Sequence, residues 1–154
     1  MDIKRALPVL LGAAAVFGLT GCDGATGEAQ AAAFVEHFNA GEPDKDQSIY
    51  VEPLGREQAE TLKELSQRCT LDEDSIELAE NGTSAALKDF GVIADCGGEK
   101  RSLVGQMSLH YDDGEEDGYR VQLDSLPRQG GKFSDFENSL PEELTSLPPL
   151  QDEV

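Results

Sequence analysis

The chain predicts an α+β domain, with two N-terminal helices packed on one face of an antiparallel sheet of four to five strands and a flexible C-terminal tail behind them. Three observations predict it. Two early segments carry apolar residues at helical spacing, and the period then changes to two through the middle of the chain. Four of the seven prolines fall in the last 28 residues.

Glu28 to Ala40 is the first helix. Ala31, Phe34, Val35 and Phe38 build one apolar stripe, Thr26 is the N-cap and Gly41 the C-terminal stop. Residues 41–53 are an irregular acidic connection with two prolines. Arg56 to Arg68 is the second helix, with Ala59, Leu62, Leu65 and Cys69 toward the core and Glu64–Arg68 as a favourable i,i+4 pair.

Ser75 to Leu87 then reads as a β-hairpin. Asn81-Gly82 is a preferred type I′ turn pair, because both positions need φ > 0. A two-residue turn there pairs Glu80 with Thr83, Leu78 with Ala85 and Ile76 with Leu87, so the apolar residues share a face. Phe90 to Cys96 is a further strand, and Gly97-Gly98 turns the chain. Ser102 to Tyr111 is a longer strand with Leu103, Met107, Leu109 and Tyr111 on one face and Val104, Gln106, Ser108 and His110 on the other. Asp112 to Gly118 reads as an acidic loop, and Tyr119, Val121 and Leu123 alternate back as the second arm of a hairpin. The inward strand positions, from Ile76, Leu78, Met107, Leu109, Tyr111 and Val121, are apolar.

From Pro127 the composition shifts to a tail. Ser-Leu-Pro recurs at 125–127, 139–141 and 146–148, and Phe133, Phe136, Leu140, Leu144 and Leu147 keep helical spacing. Ser134 with Glu137 and Ser139 with Glu142 have capping-box spacing, so short helical turns fit within the tail. As a partner-binding tail, residues 134–154 should be removable without loss of the fold.

The balance of 12 Lys plus Arg against 31 Asp plus Glu, net −19, excludes the electrostatic footprint of a nucleic-acid binder. Leu, Ile, Val and Phe number 36 of 154 residues, close to the roughly one-fifth level below which a highly charged chain does not fold, so the core is small.

Lys4 and Arg5 form a short positive n-region, and Ala6 to Thr20 is an apolar run of 15 residues. A membrane-spanning helix needs about 20, so this run is a signal-peptide h-region. It ends in Leu19-Thr20-Gly21-Cys22, which resembles a bacterial lipobox. The resemblance implies diacylglyceryl attachment to the Cys22 thiol, with cleavage before it, and so a covalent lipid as the one prosthetic group expected. Two or three acyl chains, at about 0.8 kcal/mol per buried CH₂, make stable anchoring. The implied division is 1–21 signal peptide, 22–27 lipidated tether, 28–126 α+β domain and 127–154 Pro-rich acidic tail. The implied location is the periplasmic side of a cell membrane. Asp23, beside the lipidated cysteine, resembles the enterobacterial signal for inner-membrane retention, with the outer membrane as the alternative.

Cleavage would leave 133 residues with a net charge of −20. Such charge favours solubility first, repels anionic headgroups and suits a basic envelope partner. With Cys22 lipidated, Cys69 and Cys96 remain as a disulfide pair, permitted by export and worth about 3–4 kcal/mol on the chain-entropy estimate.

The body from 28 to 126 is similar in element order to the cystatin-like roll of small nuclear-transport-factor-like domains. Ala32-Ala33-Phe34-Val35-Glu36-His37-Phe38-Asn39-Ala40-Gly41 and the late hairpin through Leu109 and Val121 carry the likeness. The resemblance implies a roll that serves enzymes and binding modules alike. This body is about one helix shorter than the fuller members, which argues against a deep pocket.

Candidates for chemistry are few. Ser108, His110 and Asp112 share a strand face in nucleophile–base–orienter order, but neighbours at i,i+2 lie about 6.5–7 Å apart, too far for triad hydrogen bonds. His37, beside Phe38, reads as a half-buried helix histidine. Asp113-x-Glu115-x-Asp117-Gly118, with Asp124 at the twelfth position, partly follows an EF-hand loop and departs from it at positions three and twelve. Asp72-x-Asp74 is a second acidic pair. Walker, GxSxG, HExxH and Gly-rich dinucleotide signatures are absent. The expected function is therefore a membrane-anchored, non-enzymatic interaction or envelope accessory module. The alternatives are a small-ligand-binding or enzymatic roll, and weak calcium binding at 112–118.

Overall fold

A computed structural model describes residues 26–81, 84–122 and 140–150. Helix α1 spans Gly27–Asn39 and helix α2 Arg56–Arg68, as their apolar spacing requires. The Thr26 hydroxyl accepts the Ala29 N–H at 3.2 Å, satisfying one of the free donors of the first turn. Gly41 stops the helix at φ 73°, a conformation that costs glycine little. Ala31, Phe34, Val35 and Phe38 are all buried. In α2 the i,i+4 ion pair is Arg56–Glu60 at 2.9 Å, and Glu64 and Arg68 do not pair.

The strands are β1 (Thr70–Leu71), β2 (Glu77–Glu80), β3 (Leu87–Cys96), β4 (Glu99–Asp112) and β5 (Glu115–Gln122), all antiparallel. The sheet order is β1-β3-β4-β5, with β2 also paired to β3. Strands β1 and β2 are one edge strand broken by a 3₁₀ turn at Glu73–Ser75. The break leaves both backbone groups of Ile93 on β3 bonded, because the Asp72 N–H reaches Ile93 O and the Ser75 hydroxyl accepts the Ile93 N–H, both at 2.8 Å.

Helix α1 packs on the sheet with Phe34 edge-on to both Phe90 and Tyr50. It contacts β5 on one side of the sheet and β1 on the other, so the sheet curls around it. This is the architecture of a cystatin-like roll. The main core combines the α1 stripe with Leu62, Leu65, Leu71, Phe90, Val92, Ala94, Leu103, Met107 and Val121. Burial of each large apolar side chain contributes about 1.5–3 kcal/mol.

Three further expectations change. The hairpin centred on Asn81-Gly82 does not form in the expected register. Leu78 lies opposite Phe90 and Glu80 opposite Lys88, and residues 81–86 connect β2 to β3, with 82 and 83 outside the described residues. The observed register sets Leu78 beside a fully buried Phe90 instead of Ala85, which is exposed. Ala86 and Leu87 pair with β4 instead, through Leu109 N–H to Ala86 O at 2.8 Å and the Leu87–Ser108 position.

The second change is at 112–118. Asp113-Gly114 is a two-residue turn with φ 50° and 85°, and Glu115 to Gln122 is strand. The type I′ signal operates here and at Gly97-Gly98, whose φ values are 69° and 98°. Gly114→Ala is expected to cost about 1 kcal/mol, because a Cβ is strained at that φ even though the space around it is open. A denaturant midpoint equal to that of the parent chain would contradict the turn. Tyr111, expected on the core face, is 53% exposed, since a register shift between His110 and Tyr111 interrupts the alternation.

The third change concerns residues 140–150, expected within a flexible tail. They pack on the sheet. Leu140 and Leu144, the latter on a short helix α3 (Glu142–Thr145), cover Val104, Ile93 and Ala79 on the face away from α1. Gly91 leaves room for them, as a Cβ there would lie 3.0 Å from Leu144 Cδ1. The chain then runs beside β4 where β5 has ended, with Ser102 N–H donating to Pro148 O at 3.0 Å. Leu150 enters the main core with no exposed surface. Residues 123–139 and 151–154, which include Leu123, Asp124, Phe133 and Phe136, lie outside the described residues, as do 1–25.

Candidate functional site

The expected lipidation site, Cys22, lies outside the described residues together with Leu19, Thr20, Gly21 and Asp23. No helix among the described residues is long and apolar enough to cross a membrane.

Cys69 and Cys96 are joined as a disulfide. Cys69 ends α2, where its N–H donates to Leu65 O at 2.8 Å, and it is 2% exposed. Cys96 is the last residue of β3, opposite Glu99. The bond therefore fixes the end of α2 to the end of a central strand.

The space between α1 and the sheet is lined by apolar side chains, and among its fully buried residues Tyr50 is the one with a titratable hydroxyl. That hydroxyl donates to Pro43 O at 2.6 Å. Burial, with smaller contributions from Asp44 and Asp46, pushes it well above the ordinary tyrosine value of 10.0. A hydroxyl that ionises later in the folded chain than in the unfolded chain contributes stability below pH 10 that is lost as the pH rises further. Tyr50→Phe is expected to flatten this alkaline loss while lowering stability at neutral pH by about 1–3 kcal/mol, read from urea midpoints against pH.

The strand residues considered for chemistry are not brought together. The Ser108 hydroxyl is bonded to Gln122 Oε1 at 3.3 Å, and the irregularity after His110 takes Asp112 out of the shared face. His37 is half-buried in the last turn of α1. Asp72 caps the 3₁₀ turn by accepting the Asp74 N–H at 3.1 Å. Of the residues that partly follow an EF-hand loop, Asp124 lies outside the described residues. Asp113 is a turn residue, Glu115 and Asp117 are strand residues, and Asp117 is paired with Arg120 at 2.6 Å. No group of three or more His, Cys, Asp or Glu among the described residues is placed to hold a metal ion.

One feature was missed. Asp89 is 1% exposed, and the Asn81 side-chain amide donates to it at 2.9 Å. By register it stands in a row with Ala79, Gln106 and Gln122, on the face away from α1. That face is thus apolar under Leu140 and Leu144 and polar along its other half. The sequence signal was an aspartate directly before the uncharged stretch Phe90 to Ile93. Asn81, read as a turn residue, instead supplies its side chain to that carboxylate.

No family model matches the chain, and no curated protein matches it. Among solved structures, one of an M. tuberculosis LEH-like epoxide hydrolase is similar, with a TM-score of 0.31 and 18% identity over 63% of this chain and 83% of that one. Likeness at that level assigns neither activity nor substrate.

Proposed function

We propose that the chain is a membrane-anchored lipoprotein whose exported domain serves as a non-enzymatic interaction or accessory module on the periplasmic side of the cell envelope. The observation that carries this reading is the division of its three cysteines. Cys69 and Cys96 pair with each other, which suits an oxidising compartment and leaves Cys22 alone at the end of an n-region, h-region and lipobox in the right order. The apolar lining between α1 and the sheet supports a module that acts through its surface, and net charge supports a basic partner. Asp23 favours the inner membrane.

Cells fed an alkyne-bearing fatty acid should incorporate it into this protein, and the label should sediment with membranes. Cys22→Ser should lose both the label and the sedimentation. A Cys22→Ser protein that still carries the label on the mature chain would overturn the anchor.

A further inference from the structure

We propose that the end of the domain formed by the β4–β5 hairpin tip faces the membrane, with Tyr111 seated at a zwitterionic lipid headgroup surface. The proposal rests on lipidation of Cys22 and specifies how the body sits on that anchor.

The first observation is the position of α1. Its first residue, Gly27, lies against Leu78, Met107 and Lys88. Its last, Asn39, is bonded through its side chain to the Leu71 backbone in both directions, at 2.9 and 2.8 Å. Lys88 pairs with Met107, and Leu71 pairs with Ala94. The helix therefore runs along β3 from the Lys88 row to the Ala94 row. Its 13 residues at about 1.5 Å each match the roughly 20 Å covered by six strand steps.

The second observation is the overhang. From Met107 the hairpin continues to its turn at Asp113-Gly114, another six strand steps or about 20 Å beyond the start of α1. Among the described residues no helix covers these rows, and Tyr111 is the exposed large hydrophobic side chain.

The third observation is the length of chain before the helix. Four residue steps separate Cys22 from Thr26, so the lipidated residue can lie no more than about 14 Å from the helix cap. The tether leaves from the end of α1 that the hairpin overhangs, and it is shorter than the overhang. A domain held that closely brings the hairpin to the headgroups, where a tyrosine, apolar in its ring and polar at its tip, is favoured. Asp112, Asp113, Glu115 and Glu116 surround Tyr111 and select a zwitterionic over an anionic surface. The Gly97-Gly98 turn, the disulfide and the end of α1 then point away from the membrane.

The chain has no tryptophan, so Tyr111→Trp and Lys45→Trp each give a single-tryptophan protein. Lys45 is an exposed residue just past the far end of α1. The full lipidated proteins are reconstituted into phosphatidylcholine vesicles brominated near the headgroup, and vesicle flotation is scored alongside emission. Tryptophan at 111 should lose roughly half its emission to the bromines, as expected of an interfacial aromatic, and tryptophan at 45 should lose none. Quenching at 45 rather than 111, equal quenching at both, or none at either in protein that floats would overturn the orientation. Protein that does not float would overturn the anchor itself, and the orientation with it.

Discussion

Replacing Leu150 with alanine is expected to lower the stability of the folded domain by about 2–5 kcal/mol. The side chain has no exposed surface and belongs to the main core, although it lies near the chain's end and after a Pro-rich stretch. Ending the chain after residue 139 should do more. It removes three buried leucines, at 140, 144 and 150, together with the Ser102–Pro148 backbone bond and the Arg101 contact to Pro149 O at 3.2 Å. For a domain of typical stability, about 5–15 kcal/mol, a loss of this size leaves little cooperative fold. Urea unfolding followed by far-UV circular dichroism reads both variants. A truncated chain with the parent midpoint would show that residues 140–150 are the dispensable tail the sequence suggested.

Breaking the disulfide is the second large effect. Cys69 and Cys96 are 27 residues apart in sequence, so the bond restricts the unfolded chain by about 3–4 kcal/mol on the chain-entropy estimate. The folded state loses anchoring as well, because α2 otherwise buries only a small set of residues, Ala59, Leu62 and Leu65, and packs chiefly against α1. The double variant Cys69→Ala, Cys96→Ala should therefore unfold at a markedly lower guanidinium concentration. Reducing agent should shift the parent chain and leave the double variant where it is. Equal midpoints with and without reductant in the parent would contradict the pairing.

The helices were legible because their signals are local. Thr26, Gly41 and a stripe of apolar residues fix α1 without reference to the rest of the chain, and α2 begins and ends where its pattern does. Turn chemistry was legible as a kind but not as a choice. Asn81-Gly82, Gly97-Gly98 and Asp113-Gly114 are all plausible turn pairs, and long-range packing of Leu78 beside Phe90 decided that the first would not set the register. The acidic composition of 112–118 hid a strand, because exposed strand residues at the end of a hairpin need not be apolar on either face. The spacing of Leu140 and Leu144 was visible, but what they cover, and why Gly91 has no side chain, depends on a strand fifty residues away. Asp89 escaped notice for the same reason, since burial of a carboxylate follows from the sheet's second face being covered.

The most direct test is the intact mass of the protein purified from membranes, with fragmentation of its N-terminal peptide. The lipoprotein reading predicts a chain beginning at Cys22 and heavier than its 133 residues by a diacylglyceryl group, with or without a third acyl chain. A mature chain that starts at another residue, or that starts at Cys22 with no added mass, would contradict it.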